Sequence, residues 1–261
     1  MDLFVNRTGE FMGPPLVFLH GGGMSGWMWD KQAQFFSDYH VIIPDLPGHG
    51  KSSGVPFISM NDAASKVLTA VMDAVGNERV NLVGFSLGAQ LAVEIVSRWP
   101  EKVDSAVIAS AAVRPRGFQK YLLAPFLRLS SGLAGDRRFA EWRAGRLNVP
   151  TEYVDRYCDD SLKLSRENIF RMLEACSEYA LPESFPASGV RMLVLAGTRE
   201  SGFVRASARD MIRANRNCTG YLVRGAGHGL PLAEPDFFNE IIFSFLNNIR
   251  MHRNRRLIRI V

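Results

Sequence analysis

The residues Val80–Ala89 constrain this chain most, because they place a serine between two glycines where a strand pattern changes into a helix pattern. The apolar run before Gly84 predicts a strand, and apolar residues after Ser86 recur at helical spacing. The apolar face of that helix comprises Leu87, Leu91, Ala92, Ile95 and Val96. A serine at the apex of so sharp a turn needs Gly84 and Gly88, since side chains two residues away would collide with it. The turn lifts the hydroxyl clear of the backbone, which favours a nucleophile over an ordinary turn.

The length and composition are those of one large globular domain. The chain has 261 residues, of which 47% are hydrophobic and 22% are charged, and this is ample for a full core. Its three cysteines, Cys158, Cys176 and Cys218, are odd in number and widely spaced, so they predict neither a metal site nor a disulfide framework. No apolar run approaches the ~20 residues that span a bilayer, and the first residues lack a signal-peptide pattern. We expect a soluble, cytoplasmic protein with no metal, no other cofactor and no integral membrane association.

The net charge of +5 comes from one end of the chain. Five arginines lie within residues 250–261, which contain no acid, so residues 1–249 are neutral overall. The positive net charge therefore indicates a basic C-terminal tail and not a nucleic-acid-binding face. Alternating basic and apolar residues in this tail would suit contact with anionic lipid, but the pattern favours a frayed, solvated end.

Strand patterns alternate with helix patterns along most of the chain. The alternation covers residues 16–112 and resumes at residue 190, which predicts an α/β fold with a mostly parallel, twisted sheet flanked by helices. Residues 114–181 lack strand patterns and predict an insertion of about four short helices over the C-terminal edge of the sheet. Its aromatic residues are Phe118, Tyr121, Phe126, Phe139, Trp142, Tyr153, Tyr157 and Phe170. We therefore divide the chain into a core of residues 1–113 and 182–249, the insertion of residues 114–181, and the tail.

The insertion is rich in cations. It carries ten arginines and two lysines against nine acids. Such a surplus is most often a solvated helix face. The alternative is that some of these arginines meet an anionic substrate or an acidic carrier.

A glycine-rich loop follows the predicted strand Leu16–Leu19. It begins His20-Gly21-Gly22-Gly23 and continues to Trp27. Glycines at the C-terminal end of a parallel strand let backbone N–H groups come close to a bound molecule, so this loop is predicted to face a ligand.

A serine hydroxyl becomes a strong nucleophile only when a neighbouring base takes its proton, and that base is usually a histidine. Of five histidines, His252 lies in the tail and His40 opens a strand at the wrong end. His20 and His49 lie in glycine turns, where shaping the loop is the favoured role. His228 follows a late strand at the correct edge of the sheet, and we predict that it is the base.

The histidine needs a carboxylate to orient it. Glu200 ends a strand at the right edge and lies between the serine and His228 in the chain, so we predict that it is the acid. The other acids lie at the wrong edge, inside a helix, in an earlier loop or at the start of the last helix; they are Asp104, Asp210, Asp45, Glu234 and Asp236.

With these motifs together, the chain resembles the α/β-hydrolase fold family. The motifs that carry the resemblance are Leu19-His20-Gly21-Gly22-Gly23, Asp45–Ser52, Gly84-Phe85-Ser86-Leu87-Gly88 and Gly225-Ala226-Gly227-His228. The order Ser86, Glu200, His228 matches the family order of nucleophile, acid and histidine. The resemblance implies that the insertion is a helical cap. It also implies an oxyanion hole made by the N–H groups of Leu87 and Gly22.

Two features depart from the family pattern. The acid is more often aspartate, whereas this chain offers Glu200. The segment before Leu16 has room for one strand at most, so a shorter sheet is expected at that end.

The resemblance predicts a hydrolase that acts on a small-molecule ester, as a monomer or homodimer. A serine at position 86 excludes the aspartate-nucleophile dehalogenases and epoxide hydrolases, and Gly229 stands where hydroxynitrile lyases of this family have lysine. Cofactor-free haloperoxidases share the three residues. We expect a carboxylesterase for a small or medium ester. The alternatives are a carrier-bound acyl methyl esterase or thioesterase, a hydrolase of lactones or carbon–carbon bonds, and a ligand receptor that keeps the fold.

Overall fold

The computed structural model describes residues 2–115, 136–249 and 254–261, and its centre is one eight-stranded sheet. The strands are β1 (Val5–Gly9), β2 (Pro15–Leu19), β3 (His40–Pro44), β4 (Val80–Phe85), β5 (Val103–Ala109), β6 (Arg191–Gly197), β7 (Cys218–Val223) and β8 (Leu257–Arg259). Their order across the sheet is β1-β3-β2-β4-β5-β6-β7-β8. Strands β2 to β7 pair in parallel. The two edge strands pair antiparallel, β1 with β3 and β8 with β7. The predicted α/β class with a mostly parallel sheet is confirmed.

Helices cover both faces of this sheet, because side chains of a strand alternate between its faces. In β2, Val17 and Leu19 belong to one hydrophobic cluster, and Leu16 and Phe18 belong to the other. The described helices are α1 (Asp30–Phe35), α2 (Met60–Val75), α3 (Leu87–Arg98), α4 (Arg137–Arg146), α5 (Val154–Lys163), α6 (Arg166–Glu178), α7 (Gly202–Ala214), α8 (Leu230–Ala233) and α9 (Pro235–Leu246). Helices α2, α3 and α7 pack on the first face, and α9 packs on the second.

The insertion contributes α4, α5 and α6, which we call the insertion helices. They lie between β5 and β6 in the chain, as predicted, and residues 116–135 with the predicted aromatics Phe118, Tyr121 and Phe126 lie outside the described residues. Within the part of the chain that the structure describes, no helix is both long and apolar enough to cross a membrane. The exact boundary between core and insertion stays a prediction.

The structure agrees with the sequence-based prediction at the N-terminal end of the chain and differs from it at the C-terminal end. Among the described residues, one strand, β1, precedes β2, as expected. The prediction of a frayed, solvated tail is wrong for residues 257–259, which form β8 against β7. The open edge of β7 presents unpaired N–H and C=O groups, and β8 satisfies them. Arg256 forms an ion pair with Glu234, and Ile260 is buried against the core.

We predict that Ile260 and Val261 differ sharply in their effect on stability. The Ile260→Ala variant should lower the free energy of unfolding by about 2 kcal/mol, because Ile260 is only 7% exposed and packs in the core beneath α7. The matched Val261→Ala variant should change it by less than about 0.5 kcal/mol, since Val261 is 98% exposed. Urea unfolding measures both. Equal effects would show that β8 does not dock as described.

Candidate active site

Ser86 stands on the turn between β4 and α3 in a conformation that few residues adopt. Its φ is 54° and its ψ is −111°, so the backbone is strained there. A Cβ on Gly84 would lie 2.4 Å from the carbonyl oxygen of Gly88, and a Cβ on Gly88 would lie 2.1 Å from that of Leu19. The turn therefore excludes side chains at both glycine positions, but the atoms in the way are these two carbonyl oxygens, and not Ser86 as was predicted. The turn packs directly on the end of β2.

The structure brings Ser86, His228 and Glu200 into one hydrogen-bonded line. The Nε2 atom of His228 lies 3.1 Å from Ser86 Oγ, and its Nδ1 lies 2.9 Å from Glu200 Oε2. Because the carboxylate can only accept, Nδ1 carries the proton, and Nε2 is left to accept from the serine hydroxyl. The three residues follow β4, β7 and β6, whose carboxyl ends meet at one edge of the sheet.

The Glu200 carboxylate is buried and fully engaged. Its side chain is 1% exposed, and its second oxygen accepts hydrogen bonds from Ser110 Oγ at 2.7 Å and from the Gly197 N–H at 2.9 Å. These donors hold the carboxylate in one orientation against His228. Ser110 was not among the site residues predicted from the sequence. Its position directly after β5, at the same edge of the sheet, was the signal that could have found it.

The two N–H groups that the family resemblance implies as oxyanion-hole donors belong to Leu87, at the start of α3, and to Gly22, in the glycine loop after β2. Leu87 is the first residue of α3, where an N–H has no partner within the helix. A Cβ on Gly22 would lie 3.8 Å from the Leu87 Cβ, so the two residues are neighbours. In the described part of the chain, neither N–H donates a hydrogen bond. The Gly88 N–H, which donates to His20 O at 3.1 Å, holds the loop against the helix.

The histidines of the glycine turns shape loops, in agreement with the sequence analysis. His20 Nδ1 donates to the Gly21 carbonyl, and Nε2 accepts from the Leu46 N–H, each at 2.9 Å. Burial lowers the pKa of His20 to about 4 and the pKa of His49 to about 3, with the neighbouring His20 adding to the second effect. Both side chains are therefore neutral at pH 7. Asp45 accepts hydrogen bonds from two backbone N–H groups and is also structural.

The other candidate acids are engaged elsewhere. Glu234 pairs with Arg256, and Asp210 pairs with Arg114. The first pairing lowers the pKa of Glu234 and the second lowers the pKa of Asp210, in each case mainly through a hydrogen bond from the arginine. Among the described residues, no group of three or more His, Cys, Asp or Glu side chains is placed to hold a metal ion.

Ser86 and His228 open into a cavity of about 380 Å³. This volume is in the range of small-molecule sites. Apolar residues of its wall come from the insertion helices, from α7, from α3 and from the loop after β5. They include Met172, Leu173, Phe203, Val204, Leu87 and Ala112.

Comparison with known proteins gives one consistent family. The family model described as the alpha/beta hydrolase family matches residues 16–241. A 2-hydroxy-6-oxononadienedioate/2-hydroxy-6-oxononatrienedioate hydrolase of Paraburkholderia phymatum is 28% identical, over 88% of this chain and 86% of its own. The carboxylesterase YbfK of Bacillus subtilis is 27% identical, over 89% of this chain and 80% of its own. A pimeloyl-[acyl-carrier protein] methyl ester esterase of Vibrio atlanticus is 28% identical, over 89% and 94%.

Solved structures share the fold. The crystal structure of a hydrolase from Pseudomonas aeruginosa superposes with a TM-score of 0.78 at 21% identity, over 94% of both chains. At that identity the likeness shows the architecture alone.

We predict that protonation of His20 destabilises the protein between about pH 6.5 and pH 4. The folded-state pKa of about 4 lies below the ordinary value of 6.5, so the unfolded chain takes up the proton first and stability falls as the pH falls. The full shift corresponds to about 3 kcal/mol. Urea unfolding at pH 7 and pH 4 should show a decrease that is smaller by about this amount in the His20→Gln variant. Parallel curves for the two proteins would contradict the prediction.

Proposed function

This chain belongs to the alpha/beta hydrolase family, and on that premise we propose that it is a serine hydrolase that cleaves a small or medium carboxylic ester. The observation that carries the proposal is the line from Glu200 through His228 to Ser86, with contacts of 2.9 and 3.1 Å. This is the geometry in which a histidine activates a serine.

In the first half-reaction, Ser86 Oγ attacks the ester carbonyl carbon and its proton passes to His228 Nε2. The carbonyl oxygen becomes negative and is held by the N–H groups of Leu87 and Gly22, each such donor being worth about 3–4 kcal/mol in transition-state stabilisation. The carbon–oxygen bond to the alcohol then breaks, and the alcohol leaves with the proton from His228. The product is an acyl group on Ser86.

In the second half-reaction, a water molecule replaces the alcohol. His228 removes a proton from the water, and the resulting hydroxide attacks the acyl carbon. The tetrahedral intermediate collapses, the carboxylic acid leaves, and Ser86 recovers its proton from His228. The buried Glu200 orients His228 and stabilises the imidazolium in both halves.

The cavity supports an ester with an apolar part. Met172, Leu173 and Val204 line it beside Ser86, and such a wall favours an acyl chain or an apolar alcohol. The relative from Bacillus subtilis is a carboxylesterase by name, which agrees with this substrate class. The insertion then acts as a cap that covers the acyl site.

The alternatives have less support. The relative from Vibrio atlanticus is named for a carrier-bound methyl ester, but Arg137, Arg156 and Arg171 of the insertion are each paired with a carboxylate of this chain, which weakens a carrier-binding face. The relative from Paraburkholderia phymatum is named for hydrolysis of 2-hydroxy-6-oxononadienedioate, which supports the alternative of a substrate that is not a simple ester. A receptor that merely keeps the fold has no need of the buried Glu200 and its donors.

We predict that a fluorophosphonate probe labels Ser86 and no other residue. The activated hydroxyl should attack phosphorus, so mass spectrometry should find the modified peptide in the native protein. The Ser86→Ala variant should be unlabelled, and the His228→Ala variant should react at least about a hundredfold more slowly, because it lacks the base. No labelling of the folded native protein would place the receptor ahead of the esterase.

We also predict that Glu200 and Glu234, which precede and follow His228 in the chain, differ in their effect on catalysis. The Glu200→Gln variant should lower kcat for a p-nitrophenyl ester by about a thousandfold or more, because the amide cannot stabilise the imidazolium. The control Glu234→Gln should change kcat by less than about twofold, since it affects only a half-exposed pair with Arg256. A Glu200→Gln enzyme with nearly native kcat would remove Glu200 from the mechanism.

A further inference from the structure

One arginine of the insertion helices differs from its neighbours in its surroundings. Arg137 pairs with Asp155, Arg156 pairs with Asp30, and Arg171 pairs with Glu167. Within the described residues, the other arginines of these helices that have no ion pair are exposed, whereas Arg143 is half-buried and no carboxylate lies at ion-pair distance from its guanidinium.

Arg143 lines the same cavity as Ser86 and His228. Among the described residues of that cavity wall, it carries the one permanent charge. Its Nη2 atom lies 2.7 Å from the position that a Cβ on Gly23 would take. The guanidinium therefore rests on the glycine loop, directly after the proposed donor Gly22.

The position of Arg143 is imposed by packing. Ala140 and Ala144 of α4 are buried, and the carbonyl oxygen of Leu147 lies 1.9 Å from where a Cβ of Gly229 would be. The end of α4 is thus pressed against the loop that carries His228. The guanidinium also lies beside the Tyr157 ring, with 5.7 Å between its central carbon and the ring centroid.

A cation in this setting has lost part of its hydration without gaining an anion. Removing a charge from water is costly unless a counter-charge replaces the water. A guanidinium presents its N–H groups as a fork that matches a carboxylate, and such charge-assisted hydrogen bonds are the strong ones. The cavity can supply that anion only through the molecule that enters it.

We propose that Arg143 binds a carboxylate carried by the substrate in addition to the ester that is cleaved. This inference rests on the proposed function and names its substrate class, which is a monoester of a dicarboxylic acid or an ester of a carboxylated alcohol. The apolar wall holds the chain between the two groups, and Arg143 sets the position of the far end. Arg143 is thereby a specificity-determining residue.

The test compares substrates that differ only in the carboxylate. In the first pair, mono-p-nitrophenyl adipate carries the carboxylate on the acyl side, and p-nitrophenyl hexanoate is its neutral counterpart. In the second pair, 4-carboxyphenyl butyrate carries it on the alcohol side, and phenyl butyrate is neutral. The ratio of kcat/KM, anionic over neutral, should favour the anionic ester in at least one pair. The Arg143→Gln variant should lower that ratio by about 10- to 100-fold.

Arg146→Gln is the matched control. Arg146 lies one turn further along α4, is exposed, and faces the Trp142 ring. Both arginines occupy the last turn of the helix and favour its dipole equally. The ratio should stay within about twofold in this variant, since an exposed cation adds little. A ratio that survives Arg143→Gln in both pairs, or that falls equally in both variants, overturns the inference.

Binding separates this inference from the proposed function. If the native protein cleaved none of the four esters, the esterase proposal would fail, and calorimetry with mono-methyl adipate in a Ser86→Ala background would still decide the role of Arg143. Addition of Arg143→Gln to that background should weaken binding at least about tenfold. Equal affinity in the two proteins would overturn the inference by itself.

Discussion

The close approach of α3 to the end of β2 is the contact on which the rest of the site depends. Gly88 lies so near the Leu19 carbonyl that a methyl group would come within 2.1 Å of the oxygen. This contact forces the turn at Ser86 into its strained conformation and brings the first N–H groups of the helix beside the glycine loop. The parallel pairing of β2 with β4 places Leu19 opposite Gly84, so the two strands end side by side. This pairing holds the strained backbone of Ser86 in place.

The loops after β5, β6 and β7 complete the site at the same edge. The Glu200 carboxylate is buried, and it accepts hydrogen bonds from Ser110, Gly197 and His228. Because both carboxylate oxygens accept hydrogen bonds, the carboxylate is held in one orientation beside the imidazole. The extra methylene of glutamate, compared with aspartate, is accommodated because Ser110 and Gly197 hold the second oxygen.

Glycines at this edge also admit the insertion helices. The sulfur of Met172 packs against Gly22, and the guanidinium of Arg143 packs against Gly23. The Leu147 carbonyl packs against Gly229. Side chains at these positions would push the insertion away from Ser86. The glycines at these positions therefore allow the insertion helices to approach this edge of the sheet closely.

The sequence by itself determined the sheet class, the turn at Ser86 and the choice of His228 and Glu200, because each rests on a local pattern: periodicity, a glycine-flanked serine, or a polar residue directly after a strand. Tertiary structure alone decided what depends on contacts between distant residues. Ser110 was missed because its role exists only when β5 lies beside β6. Strand β8 was missed because three residues with two arginines nearby form a strand only against the open edge of β7. The distinct place of Arg143 among many arginines likewise appears only when α4 meets the glycine loop, since the charge of a side chain is local but its lack of a counter-charge is not.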